Sequence, residues 1–555
     1  MAPANLRRRL VAIVATVATV VTTLAAFAVL ADGSPESSLI RGTRGSAALI
    51  ATSVQSDLVP DPMPSEEAVP PVESVAQIKN VVLLLADDMD SRLFDMVPRL
   101  NALKAAGTTL TNFVVTDSLC CPSRTSIMRS QYVHNHKVLS NIPQSGGGWA
   151  TFYSRNHELD CLPTWLKTAG INTSFIGKYL NGFPNGAPSK TYIPPGWDYF
   201  VSSIVGTASY QGYNYTLNVN GTLQRYGSTP ADFMNDVLTA DAAERIRSLS
   251  TPFFLELATY SPHSPAPVAE RHLGSHYGAV VPRTPSFNAR GRNELPWIAS
   301  QPILKPKQVA NFDRIWTQRL ESAESVADSY EAIVAELAAT GHTNDTLIMV
   351  TSDNGYHMGV HRLITGKQTA YREDSIVPMV LIGPGIPKGA SIAKMTSTID
   401  IAPTVNALFG AQTPTWADGR DLMPLVTDPV NAPWRTGILT ENLGRTKPGD
   451  VDYSRLEPPS FHALRTERWL YLEYVDKRVE LYDLVNDPYE MRNIAKGADR
   501  STLARLHAQL KALITCAGPS CRAADSRVID APVVPPAPSP QALPGDPNPL
   551  ASSAT

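Results

Sequence analysis

Five short apolar runs without polar alternation constrain the fold of this chain most: 81–86, 173–176, 253–260, 347–351 and 377–382. A strand with one wet face alternates apolar and polar side chains, so a run that is apolar throughout is covered on both faces. Helical stretches separate several of these runs, at 98–106, 163–168 and 312–339. In the longest, Ile315, Leu320, Val326, Tyr330, Ile333, Val334 and Leu337 fall roughly on one face. Strands alternating with helices predict an α/β fold on a large, mainly parallel sheet flanked by helices. Beyond about residue 410 the texture changes: 437–441, 463–474 and 479–484 read as strands joined by short turns, and 501–514 as a helix. A smaller C-terminal antiparallel sheet with a helix packed on it is therefore expected.

The flanks read differently. Arg7, Arg8 and Arg9 precede an apolar run over 10–30 and then Ala31-Asp32-Gly33, which reads as a targeting segment cleaved after Ala31. Uncleaved, a run of about twenty residues is long enough to anchor the chain in a membrane. Arg7-Arg8 also fits a twin-arginine signal. The expected location is outside the cytoplasm: secreted, periplasmic or on the cell surface. Residues 32–76, with Pro60, Pro62, Pro64, Pro70 and Pro71, read as a linker, and 527–555 as a disordered Pro-rich tail. The organisation is then 1–31 signal or anchor, 32–76 linker, 77–410 main domain, 411–526 C-terminal subdomain and 527–555 tail. A net charge of −3 gives no reason to expect a nucleic-acid partner. The five cysteines are Cys120, Cys121, Cys161, Cys516 and Cys521; export permits disulfides, and an odd count leaves one over.

In an open parallel sheet, ligands bind beyond the carboxyl ends of the strands. Four of the expected strands run into chemically capable residues there: Asp87-Asp88, Gly177-Lys178, His263 and Asp353-Asn354. One case is ordinary turn chemistry; four argue for one site. Asp87, Asp88, Asp353 and Asn354 offer only oxygen ligands, which suit Ca²⁺ or Mg²⁺ rather than Zn²⁺. Cys120-Cys121-Pro122-Ser123-Arg124 leads into an expected helix at 123–131, with Cys120 just before its N-terminus. Free N–H groups, the helix dipole and Arg124 all favour an anion there. Taken alone, the motif describes an activated nucleophile facing a tetrahedral oxyanion.

Cys-x-Pro-Ser-Arg is the sulfatase signature, and from about residue 79 to 522 the chain resembles the sulfatase family of the alkaline-phosphatase-like superfamily. Leu84-Leu85-Ala86-Asp87-Asp88, Gly177-Lys178-Tyr179-Leu180-Asn181, Ser352-Asp353-Asn354-Gly355-Tyr356-His357 and Glu480-Leu481-Tyr482-Asp483-Leu484 carry the likeness. The doubled cysteine, His134-Asn135-His136, Pro195-Gly196-Trp197, Tyr213-Asn214-Tyr215-Thr216-Leu217 and the Cys516/Cys521 pair resemble the N-acetylglucosamine-6-sulfatase type. The resemblance implies a sulfatase domain over 77–410. It implies that a maturation enzyme oxidises Cys120 to formylglycine, whose hydrated aldehyde attacks sulfur. It further implies a cation on Asp87, Asp88, Asp353, Asn354 and the modified Cys120. Arg124 then steadies the nucleophile, Lys178 and Lys367 neutralise sulfate oxygens, and His263 is the general acid. His134, His136 and His357 are weaker substrate-binding candidates. The implied substrate is a sulfated carbohydrate, such as N-acetylglucosamine-6-sulfate units of glycosaminoglycans, or an aryl sulfate. With Cys120 consumed, Cys516–Cys521 forms a short bridge; Cys121–Cys161 is a second pairing, against the alternative of two buried thiols.

Two departures from the family pattern stand out. Leu180 replaces a histidine common two residues after the motif lysine, and Met128-Arg129-Ser130 replaces the usual Leu-Thr-Gly. The second bears on maturation of Cys120. Two rival functions remain at this stage: a phosphate or phosphonate monoester hydrolase on the same scaffold, and a non-catalytic surface binding protein. Trp197, Tyr199, Phe200, Tyr210, Tyr213 and Tyr215 suit either sugar stacking or core packing.

Overall fold

A computed structural model describes residues 78–204, 209–448, 450, 452–453 and 457–527. The targeting run, the linker and the tail beyond 527 lie outside the described residues.

The main sheet comprises β1 (Asn80–Ala86), β2 (Thr108–Leu110), β3 (Asn172–Gly177), β4 (Tyr199–Ser203), β5 (Thr216–Val219), β6 (Thr222–Arg225), β7 (Phe253–Ala258), β8 (Thr346–Ser352), β9 (Met379–Ile382) and β10 (Ala390–Ile392). Their order is β10-β2-β9-β8-β1-β7-β3-β4-β5-β6. The centre, β8-β1-β7-β3-β4, is parallel throughout. Registers Leu84↔Val350 and Leu84↔Leu257 bring the carboxyl ends of β8, β1 and β7 level. All seven residues of β1 and of β8 are buried, as two-sided coverage requires. The 377–382 run differs from its neighbours: β9 pairs antiparallel with β8, so it enters the sheet from the other end.

Apolar clusters lie on both faces. On one, Val81, Leu83 and Leu85 meet α1 (Cys120–Arg129) and its neighbours; on the other, Val82 and Leu84 meet α2 (Met234–Ser248) and α3 (Pro306–Ala339). Burying one such aliphatic side chain contributes roughly 1.5–3 kcal/mol. The helix expected over 98–106 is broken into Pro98–Asn101 and Leu103–Ala106.

The C-terminal sheet is a meander of β11 (Gly437–Asn442), β12 (Phe461–Thr466), β13 (Trp469–Tyr474) and β14 (Val479–Asp483). The 463–474 run is two strands, because Thr466 Oγ1 accepts from the Arg468 and Trp469 N–H groups and turns the chain. Helix α4 (Arg500–Leu513) packs Leu506, Leu510 and Leu513 against Leu439, Leu464 and Leu481 of this sheet. Among the described residues, no helix is long and apolar enough to cross a membrane.

Candidate active site

Four sheet strands and one helix deliver the site. β1 ends at Ala86, so Asp87 and Asp88 emerge at its carboxyl end, both fully buried. Asp88 has φ 64°, a left-handed conformation uncommon for a residue with a Cβ. That turn is held by the buried Arg319 of α3, which donates to the Asp88 carbonyl, and by Asp353 Oδ1, which accepts from the Asp88 N–H at 3.2 Å. β3 ends at Gly177, where a Cβ would stand 1.8 Å from the Ala258 carbonyl oxygen; only glycine lets β3 approach β7 here and present Lys178. Gly355, after Asn354, is pressed in the same way against the Glu373 carbonyl, 2.0 Å from where its Cβ would lie.

Helix α1 begins at Cys120 itself, not at Ser123, and Cys120 is its first residue. Asn141 explains the longer helix: its Oδ1 accepts from the Cys121 N–H at 2.9 Å, supplying the cap that Leu119 cannot. The helix stops at Arg129 because Ser130 turns left-handed, at φ 53°. This is the position where the family signature has glycine, which adopts that conformation without steric cost.

The side chains converge on Cys120. Its Sγ lies 3.6 Å from Asp87 Oδ1 and 4.0 Å from Asp88 Oδ1, and Lys367 Nζ donates to it at 2.8 Å. Lys367 also reaches Asp88 Oδ1 at 2.6 Å, and Lys178 Nζ reaches Asp87 Oδ2 at 2.5 Å. Arg124 Nε donates to Asp353 Oδ2 at 2.8 Å and its Nη1 to the Lys178 carbonyl at 2.7 Å. Asn354 Nδ2 donates to Asp88 Oδ1 at 2.6 Å. His263 Nδ1 donates to the Ser264 carbonyl at 2.6 Å, which leaves Nε2 facing Asp88 Oδ2 at 3.5 Å.

Opposite charges face one another among these buried side chains. Burial raises the Asp87 carboxyl, and the neighbouring Lys178 only partly offsets it. Burial also pushes Asp353 up, but Arg124, Lys178 and Lys367 together overcome it and hold that carboxyl down to about 2. For both lysines burial opposes the charge, and the surrounding carboxylates outweigh it, so they stay protonated. Burial drives the Cys120 thiol well above its ordinary range, so an unmodified Cys120 is a poor thiolate nucleophile.

The donor set fits a hard cation. Asp88 Oδ2 and Asn354 Oδ1 are buried with no hydrogen-bond partner, and Asp87, Asp88, Asp353 and Asn354 present oxygens only. Asp87, Asp88, Cys120 and His263 hold their ligand atoms within 4.8 Å of one another.

Three neighbours of the site carry no sequence motif. Asp452 Oδ1 lies 3.1 Å from Lys367 Nζ and 3.2 Å from His263 Nε2, and its Oδ2 accepts from Asn141 at 2.7 Å. The Tyr210 ring lies against His263, tilted by 39° with ring centroids 4.4 Å apart, and lies under Lys178 Nζ at 5.2 Å. Asn141 is the cap already described. Nothing local in the sequence marks Asp452 or Asn141, and Tyr210 stands out there only as one of six aromatics; the fold brings all three in.

The other candidate histidines are held by partners within the protein. His136 is fully buried, with Nε2 against Ser126 Oγ at 3.0 Å and Nδ1 accepting from the Val138 N–H, so both ring nitrogens are used within the protein. His134 bonds Glu441 at 2.8 Å and the Cys516 carbonyl at 3.0 Å. His357 Nδ1 pairs with Asp374 at 2.8 Å. Trp197, Phe200 and Tyr215 are buried packing residues, and of that aromatic stretch Tyr210 is the one placed beside His263. Cys516 and Cys521 form a disulfide. Cys121–Cys161 does not form: both are buried free thiols, Cys161 donating to the Glu158 carbonyl at the start of its own short helix.

A cleft of about 530 Å³ opens beside Lys178 and Tyr210, bordered by Asn141, Asn181, Tyr260 and Asp450. A parallel sheet that brings carboxylates and Lys178 to the buried start of a helix, where Lys367 joins them from a loop, suits a hydrolase of tetrahedral anionic esters. The comparisons with known proteins narrow that class. The model of the family described as Sulfatase matches residues 79–411, and that of N-sulphoglucosamine sulphohydrolase, C-terminal, matches 359–516. The chain is 33% identical over 480 residues to N-acetylglucosamine-6-sulfatase of Capra hircus, covering 80% of this chain and 84% of that protein. The human protein of that name is also 33% identical, with coverage of 80% and 86%. In structure, the chain resembles BT4656 solved in complex with its substrate D-glucosamine-2-N,6-O-disulfate: TM-score 0.67, 18% identity, 78% of this chain and 97% of that one. The chain belongs to the sulfatase family and is a sulfuric ester hydrolase.

Proposed function

We propose that the chain hydrolyses sulfate monoesters of sugars, with N-acetylglucosamine-6-sulfate units of glycosaminoglycans as the substrate class, after Cys120 has been converted to formylglycine. The observation that carries this reading is the convergence of Asp87, Asp88 and Lys367 on Cys120 Sγ at the first turn of a buried helix. Two close relatives bear the name N-acetylglucosamine-6-sulfatase, which supports the substrate class. The apolar run at 10–30 and a relative named as an extracellular sulfatase in Drosophila melanogaster, 32% identical over 381 residues, support export.

Formylglycine at position 120 supplies an oxygen nucleophile as its hydrated aldehyde. A divalent cation, calcium by the all-oxygen donor set with magnesium the alternative, supplies Lewis-acid polarisation when held by Asp87, Asp88, Asp353, Asn354 and the modified Cys120. The remaining work falls to the chain's own side chains. Lys178 and Lys367 stand ready to hold the sulfate oxygens, whose charge must stay balanced through the reaction. Arg124, locked to Asp353 and the Lys178 carbonyl, fixes α1 and position 120 against the strand ends. His263, oriented through Nδ1 by the Ser264 carbonyl, holds a proton at Nε2 for the leaving oxygen. The cleft bordered by Asn141, Asn181 and Tyr260 receives the alcohol portion.

The test is release of inorganic sulfate from N-acetylglucosamine-6-sulfate by protein produced together with a formylglycine-generating enzyme. Turnover is expected in the wild type and is lost in Cys120→Ala. A matured protein that prefers the phosphate ester of one leaving group to its sulfate ester, or turns over neither, would overturn the reading.

A further inference from the structure

We propose that Asp452 sets the charge selectivity of the site, favouring singly charged sulfate esters over doubly charged phosphate monoesters. The inference rests on the sulfatase reading above and adds a residue that no motif marks.

Asp452 is 5% exposed, and its carboxylate touches the reacting groups. Lys367 Nζ lies at 3.1 Å and His263 Nε2 at 3.2 Å, while Cys120 Sγ is 3.8 Å from Oδ2. Asn141, which caps α1 through Oδ1, donates its Nδ2 to the same carboxylate at 2.7 Å. An incoming tetrahedral anion needs the donors on Lys367 and His263 that Asp452 already engages. Anion and carboxylate are therefore neighbours of like charge in a site with little water to screen them.

Asp87, Asp88, Asp353 and Asp452 face Arg124, Lys178 and Lys367, with the nearby Arg319 and Asp90 paired to each other at 3.8 Å. His263, with Nδ1 on the Ser264 carbonyl and Nε2 on Asp452, adds a fourth cation when it holds both protons. Within this matched set the Asp452 charge repels a phosphate monoester, a dianion above a second pKa of about 6, about twice as strongly as it repels a singly charged sulfate monoester. Asp452 thus acts by repelling the wrong ester as well as by pairing with Lys367.

The test compares wild type and Asp452→Asn on 4-nitrophenyl sulfate and 4-nitrophenyl phosphate at pH 7.5. The isosteric amide keeps a partner for Asn141 and removes only the charge. The ratio of kcat/KM for phosphate over sulfate is expected to rise at least about tenfold, on the order of the repulsion between adjacent charges. In a Cys120→Ala background, which does not turn over, calorimetric titration of the same esters should show the phosphate ester gaining affinity over the sulfate ester. A ratio that stays level or falls in both measurements overturns the role of Asp452. Failure of the wild type to hydrolyse the sulfate ester with position 120 converted would instead overturn the sulfatase reading, so the two failures are distinguishable.

Discussion

His263 shows how single residues here are set for one task. Its Nδ1 is committed to the Ser264 carbonyl, and Tyr210 lies against the ring, so only Nε2 faces the reacting groups. A proton donor matters most when the leaving oxygen is a poor one. His263→Ala is therefore expected to slow a sugar sulfate by about 10²–10⁴-fold and an activated aryl sulfate far less; equal losses on the two esters would remove it as the acid. Lys367 touches both Asp88 and Cys120, and Lys367→Ala is expected to lower kcat/KM by about 10²–10³-fold with near-unchanged circular dichroism. His263 was displayed because it follows an expected strand; Lys367, in a loop, was reached only through the family resemblance. Asp452 and Asn141 were not legible, since they reach the site from loops whose course depends on the assembled fold; Tyr210 was visible only as one aromatic among six.

At the scale of elements, α1 is the part on which the site turns. All ten of its residues are buried, and it is held by contacts that no helix propensity encodes. Asn141 caps its start, Ser123 Oγ donates to the Asp353 carbonyl at 2.5 Å, and Ser126 links Thr116 to His136. His136→Ala is thus expected to cost about 1–3 kcal/mol of stability by leaving buried polar groups unpaired, measured by denaturant unfolding, with KM unchanged. A raised KM at full stability would instead assign His136 to substrate binding. The apolar runs foretold the central parallel strands because two-sided burial leaves a plain mark on sequence. The antiparallel entry of β9 left none, since a buried strand reads alike in either direction. The start of α1 was placed three residues late because its cap comes from Asn141, twenty residues away from the N–H it satisfies.

At the scale of the whole molecule, buried charge and buried histidine set stability. Arg435, fully buried, joins Asp400 at 2.7 Å to Asp525 at 3.0 Å and so ties the end of the described chain to the body. Arg435→Met strands two carboxylates and is expected to destabilise by about 3–5 kcal/mol in denaturant unfolding. Burial, with Arg129 nearby, holds His157 down to about 4; burial holds His361 down to about 3 and His136 well below its usual range. Each is neutral in the folded protein and titrates near 6.5 when unfolded. At these three sites the unfolded chain therefore binds more protons below about pH 6.5, and their contribution to stability is lost as pH falls from there towards 3. His134, raised because Glu441 outweighs the effect of burial, has the opposite sign and contributes below that value. His263 is raised as well, and burial holds Glu256, Glu373 and Glu480 up to about 7, so the sign is tested one group at a time. His157→Gln removes one depressed imidazole and is expected to shrink the loss of stability between pH 7 and pH 4 relative to the wild type, measured by denaturant unfolding; an unchanged loss would contradict the depressed His157. The central claim, that this buried constellation works through a converted Cys120, is met most directly by the intact mass of the peptide that contains it, taken from protein made in its native host. A loss of about 18 Da is expected, or the mass restored by hydration and trapped by an aldehyde-reactive hydrazide. Native protein carrying only an unmodified thiol at position 120 would contradict it.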